Sequence, residues 1–135
     1  MSFYVKDFIK LALKQNISST REVLLTEIID YIKSKIDNNQ EINLNFICTH
    51  NSRRSQLSQV WAKVASVYYG IEINSYSGGV EVTAFNERAI DSLVRSGFSV
   101  LFENSTNPKY EISYAENENP IIAFSKLFDD DFNKA

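Results

Sequence analysis

Cysteine is almost missing from this chain: Cys48 is the only one in 135 residues. One thiol cannot close an internal disulfide, which excludes a small disulfide-stapled secreted scaffold and fits a reducing setting such as bacterial-type cytoplasm. Histidine is as scarce, with His50 alone, so a metal centre that needs several converging ligands is not expected. Positive charge is not in excess. Lys and Arg number 14 against 17 Asp and Glu, for a net charge of -3, and the longest basic run is Arg53-Arg54. A nucleic-acid binder usually carries a basic face or stripe, so no nucleic-acid partner is expected. No apolar run approaches the roughly 18 residues of a membrane span. Lys6, Asp7, Lys10 and Lys14 interrupt the N-terminal segment, unlike a signal peptide, so no membrane partner is expected either. Four glycines and two prolines leave no low-complexity tract, and no internal repeat is visible. What remains is ordinary globular material, 44% apolar and 23% charged, enough for one domain with a real core.

The hydrophobic spacing organises the chain. Phe3 to Lys14 reads as a helix with Tyr4, Phe8, Leu11 and Ala12 on one face and Val5 and Ile9 beside them. Ser19-Thr20-Arg21-Glu22 fits a capping box, with Ser19 as N-cap. A second helix then runs to about Ile36 with Leu24, Ile28, Ile32 and Ile36 at four-residue spacing. Residues 1–40 are thus read as an N-terminal helical extension, with apolar surface enough to bury a second copy in a homodimer, and 41–135 as an α/β domain. Ile42 to Ile47 is a strand whose alternating Asn43 and Asn45 imply half coverage. Arg54 to Tyr69 is the best helix, with Leu57, Val60, Trp61, Val64 and Tyr68 in one stripe and Gly70 as its left-handed terminator. Trp61, Tyr68 and Tyr69 are read as core packing rather than ligand stacking.

Ile71 to Tyr76 is a second strand, Ser77-Gly78-Gly79 a turn, and Thr83 or Asn86 caps a helix through Ser96 with Ala89, Ile90, Leu93 and Val94 inward. Strand, helix, strand, helix predicts a parallel sheet with right-handed crossovers. After Phe98 the pattern changes to short strands at 99–103, 110–115 and 120–125, the last two forming a hairpin.

The chemistry gathers in Cys48-Thr49-His50-Asn51-Ser52-Arg53-Arg54-Ser55, a loop between a strand and a helix N-terminus. A thiol stands at one edge and a guanidinium at the other. A helix N-terminus and nearby cations favour the thiolate, which is the nucleophile. Successive inward N–H groups bind the equatorial oxygens of a tetrahedral oxyanion, and Arg54 adds a planar fork that can bind two of those oxygens at once. Ser55 can donate a hydrogen bond toward the sulfur. His50 either shapes the loop or contacts its rim. Arg53 either adds positive charge or is solvated.

With Gln56, this loop resembles the signature of the low-molecular-weight protein tyrosine phosphatases and of the arsenate reductases that share their fold. Ser75 to Gly79 and Val82 to Asn86 resemble the segment after the second strand in the reductase branch. The similarity covers roughly residues 42 to 98. It implies a doubly wound, three-layer α/β fold with a parallel sheet and the loop at the carboxyl end of the first strand. It implies Cys48 as nucleophile, Arg54 as transition-state clamp, Ser55 as support for the thiolate, and Asn51 as keeper of the loop's shape. It also implies that Thr49, His50, Asn51, Ser52, Arg53 and Arg54 form the phosphate-binding loop, with backbone N–H groups from Thr49 to Arg53. Neither metal nor cofactor is implied.

Two departures shape the expected function. Thioredoxin-coupled reductases of that family carry further cysteines, one where Arg53 stands, so an internal disulfide relay has no partners in these residues. A thiol such as glutathione or mycothiol would have to serve instead. The family's general acid lies in an Asp-Pro pair, whereas the two prolines here follow Asn107 and Asn119, and the family's last elements have no counterpart. The domain is therefore expected to be C-terminally incomplete or a short form. Asp129, Asp130 and Asp131 could substitute as acid, but an acidic tail of this kind is more often solvated surface. The leading expectation is a phosphatase acting on phosphate monoesters or phosphotyrosine proteins through a phosphocysteine. The alternatives are an arsenate reductase using a small external thiol and a catalytically weak anion-binding module.

Overall fold

A computed structural model describes residues 3–133. In chain order the elements are α1 (Phe3–Ala12), α2 (Ser19–Asp37), β1 (Asn43–Cys48), α3 (Arg54–Tyr69), β2 (Asn74–Gly79), α4 (Glu87–Arg95), β3 (Ser99–Leu101), β4 (Tyr110–Ser113) and β5 (Ile121–Ala123). β1 and β2 pair in parallel, from Asn43 opposite Asn74 to Cys48 opposite Gly79, with α3 as the crossover between them. The expected α/β class and the parallel βαβ unit are both present. β3, β4 and β5 form a separate antiparallel sheet in that order, and β4–β5 is the expected hairpin. Leu127 adds one more parallel bridge, beside Gly79.

One apolar core joins these layers. Val5 and Ile9 of α1, Val60 and Val64 of α3, Ala89, Ile90 and Leu93 of α4, and Tyr110, Ile112, Ile121 and Ala123 of the antiparallel sheet pack together with Phe85 and Phe98. Trp61 is stacked on Phe8 and meets Phe98 edge-on. It is a packing residue, as its spacing suggests. Tyr68 and Tyr69 are not: both are exposed and touch each other. The face of α1 also differs from expectation. Val5 and Ile9 are buried, while Phe8 and Leu11 remain exposed, because a ten-residue helix over a small core covers only a narrow stripe. α2 buries none of its residues. Its cap is Ser18, one residue earlier than Ser19, and the Ser18 hydroxyl accepts from Arg21 N at 3.2 Å. Asn86 rather than Thr83 caps α4, its side chain accepting from Arg88 N and Ala89 N, and Val94 faces outward.

Ser77, Gly78 and Gly79 belong to β2, not to a turn. Glycine is needed here for close approach. A Cβ on Gly79 would come within 2.7 Å of Asn51 N and 2.9 Å of Thr49 O, and one on Gly78 would strike the backbone of Phe128. The glycines let the 48–55 loop and the C-terminal strand-like segment both close onto the end of β2. α3 ends at Gly70 in the left-handed conformation, φ 68°. Facing the parallel strands, α3 presents polar residues: Ser77 donates to the Gln59 side chain and Ser75 to Gln59 O. Among the described residues no helix is long and apolar enough to cross a membrane.

Candidate active site

Backbone direction decides what the 48–55 loop can bind. Its carbonyls are engaged on the outside. Cys48 O and Thr49 O accept from Val80 N, and Thr49 O also from Glu81 N. His50 O accepts from the hydroxyls of Thr83 and Ser125. Asn51 O accepts from Gln56 Nε2, and Ser52 O from Asn86 N. Arg53 O starts the hydrogen-bond ladder of α3 through Leu57 N. With these carbonyls held outward, N–H groups are left to converge inside, and those of Asn51, Ser52 and Ser55 bond to Cys48. Such a nest favours an anion.

Asn51 makes this shape possible. It is fully buried and adopts φ 48°, a left-handed conformation that asparagine tolerates better than most residues. Lys126 N–H, which can only donate, bonds to Asn51 Oδ1 at 3.1 Å. The other end of the amide, Nδ2, therefore donates to Ser55 Oγ at 2.7 Å. Having accepted from Asn51, the Ser55 hydroxyl directs its own proton to Cys48 Sγ, 3.0 Å away. Burial pushes the Cys48 thiol up. The Ser55 hydroxyl and the N–H groups of Ser55, Ser52 and Asn51 outweigh it, and the net result is a value lowered from 9.0 to about 7.

Cys48, His50, Ser52, Arg53, Arg54 and Thr83 line a cavity of about 130 Å³ over the sulfur. Neither Arg53 nor Arg54 is paired with a carboxylate among the described residues, so the cavity carries uncompensated positive charge. Thr49 and Asn51 contribute backbone to the loop but do not line the cavity. His50 lies at its rim, with Nε2 3.1 Å from Glu81 Oε2. No group of three or more His, Cys, Asp or Glu residues placed to hold a metal is found among the described residues. Asp129, Asp130 and Asp131 do not line the cavity. Asp130 instead accepts from Phe132 N within its own turn.

Several residues that hold the site were given no role from sequence. Gln56 is fully buried and donates to Asn51 Oδ1 and to Phe124 O. Ser125 bridges His50 O and Thr83 N, and is itself held by Asn107 through two reciprocal hydrogen bonds. Residues 124–126 thus form a seat under the loop. No local sequence signal marks them, because their partners lie up to 75 positions away. Gln56 alone is marked in sequence, as the residue that completes the loop's resemblance.

No family model matches the chain, and no solved structure matches it. Curated relatives do. It is 37% identical to an arsenate reductase of Bacillus licheniformis over 60 residues, 44% of this chain and 41% of that protein. It is 32% identical to an arsenate reductase of Staphylococcus aureus over 77 residues, 57% of this chain and 55% of that protein. An arsenate reductase of Bacillus cereus is 31% identical over 77 residues. The chain spans about half the length of the curated relatives it matches. These similarities bear out the kinship with the low-molecular-weight phosphatase and arsenate reductase superfamily that the loop suggests.

Proposed function

We propose that this chain is a cysteine-dependent enzyme that reduces arsenate with an external thiol. The observation that carries the proposal is the cradle around Cys48: Ser55, oriented by Asn51, donates to the sulfur, and three backbone N–H groups point at it. Near pH 7 about half of such a thiol is thiolate. Its lone pair attacks arsenic, an S–As bond forms, and an As–O bond breaks with loss of water. Arg54 and the N–H groups hold the remaining oxygens. A small external thiolate then attacks Cys48 Sγ. The S–As electron pair passes to arsenic, reducing it from the pentavalent to the trivalent state, and arsenite leaves. A second external thiol frees Cys48 from the mixed disulfide and departs as the oxidised disulfide. The thiols come from outside because Cys48 is the only cysteine of the sequence, and a lone reduced cysteine suits a cytoplasmic setting.

The same feature favours a second reading. Hydrolysis of a phosphate monoester through phosphocysteine needs one cysteine and no reductant. Arsenite formation with glutathione or dithiothreitol, measured beside p-nitrophenol release from its phosphate ester, separates the two. Arsenite formation that is lost in Cys48→Ser supports reductase. Ester cleavage without arsenite supports phosphatase. Neither activity in the wild-type chain overturns both.

A further inference from the structure

The chemistry above lacks a proton donor for the oxygen displaced by Cys48, and none of the three aspartates near the C-terminus lines the cavity. We infer that His50 is that donor, with Glu81 as the positioning residue that holds its imidazole; the inference rests on Cys48 acting as the nucleophile. His50 lines the same cavity as Cys48, and its Nε2 lies 3.1 Å from Glu81 Oε2. With side chains 50% and 65% exposed, the pair adds little to stability. That exposure lets His50 exchange protons with solvent. The imidazole also sits on a fixed base, since His50 O is held by both Thr83 and Ser125.

The step balances. The Cys48 lone pair forms the new S–As or S–P bond. The bond from the central atom to the leaving oxygen breaks, and its electron pair takes the proton from His50 Nδ1. The leaving group departs as water or an alcohol. The imidazole stays neutral with its remaining proton on Nε2, toward Glu81, so Nδ1 is the free acceptor that water re-protonates. A carboxylate thus fixes the tautomer and the orientation of the ring. The charged groups around His50 are Cys48, Arg53 and Arg54 lining the cavity and Glu81 opposite. Glu87 and Arg88 line the adjoining hollow that shares Ser52 and Thr83. Lys126 lies beneath the loop, with its ammonium turned to Phe124 O.

Leaving-group dependence tests the inference. His50→Gln and Glu81→Gln are compared with wild type on arsenate plus dithiothreitol, on phosphotyrosine, and on p-nitrophenyl phosphate, whose leaving group needs little protonation. Removing a general acid costs about 10²–10⁴-fold. His50→Gln should lose that much on whichever of the first two the enzyme turns over, and less than about tenfold on p-nitrophenyl phosphate. Glu81→Gln should show the same split in weaker form, losing turnover on the poor leaving groups and keeping it on p-nitrophenyl phosphate, because the ring is no longer held. Iodoacetate titration of Cys48 checks that the loop is intact in each variant. Equal losses on good and poor leaving groups overturn the role of His50 while Cys48-dependent turnover upholds the reading beneath it. Absence of Cys48-dependent turnover on every substrate overturns both.

Discussion

At the scale of single residues, Cys48 and the groups that touch it set the chemistry. Its thiol is lowered from 9.0 to about 7 although burial opposes the charge. A depressed value means that thiolate is present above about pH 7 and is lost as pH falls through it. Iodoacetate should therefore alkylate Cys48 at a rate that climbs through about pH 7 and levels off above it, whereas an ordinary thiol keeps climbing to higher pH. Ser55→Ala removes a hydrogen bond to a charged acceptor, worth about 1.5–3 kcal/mol. At 1.36 kcal/mol per unit, the alkylation midpoint should rise by about one unit or more. In the proposed reaction Arg54 acts on the substrate rather than on the sulfur. Its planar fork is what lysine lacks, so Arg54→Lys should reduce kcat by about 10²-fold, the scale of losing one oxyanion donor. Cys48 alkylation in that variant should titrate near its wild-type midpoint.

Elements matter here through how closely they approach. β2 ends in glycines because the 48–55 loop rests on it. A methyl at residue 79 would meet Asn51 N at 2.7 Å, and backbone of that kind cannot yield without moving the N–H groups that face the sulfur. Gly79→Ala should raise the Cys48 titration midpoint toward the ordinary thiol value and depress turnover, read by the same alkylation series. The N-terminus of α4 provides the contrast. Asn86 satisfies Arg88 N and Ala89 N with its side chain, while its backbone N–H reaches Ser52 O. Asn86→Ala removes the cap and keeps the backbone bond. It should cost about 1 kcal/mol of stability in urea unfolding and leave the Cys48 midpoint where it was.

Across the whole molecule, the site depends on chain segments far apart in sequence. Residues 124–126 cross under the loop, and Lys126 is buried there with its ammonium near the rings of Phe124 and Phe132. Burial lowers its value from 10.5 to about 8, with Asp130 pulling the other way. Between pH 8 and 10 the unfolded chain holds the Lys126 proton that the folded chain has released, so stability rises with pH over that window. Cys48 contributes in the same direction between about 7 and 9. Lys126→Met should remove the part of the rise in Tm above pH 8 that belongs to the lysine and leave the thiol's part, in melts followed by circular dichroism.

The sequence by itself determined what is local. The Cys48–Ser55 loop, the extent of α3, its stop at Gly70 and the β4–β5 hairpin follow from spacing, caps and turn residues a few positions apart. Which polar groups would be buried was decided only in three dimensions. The buried Gln56 Nε2 and Asn51 Oδ1 find partners in Phe124 O and Lys126 N, and a helical period cannot reveal a partner some 70 positions away. The same holds for the glycines of β2, which sequence alone reads as a turn. Their small size matters only once the loop and the C-terminal segment are packed against them.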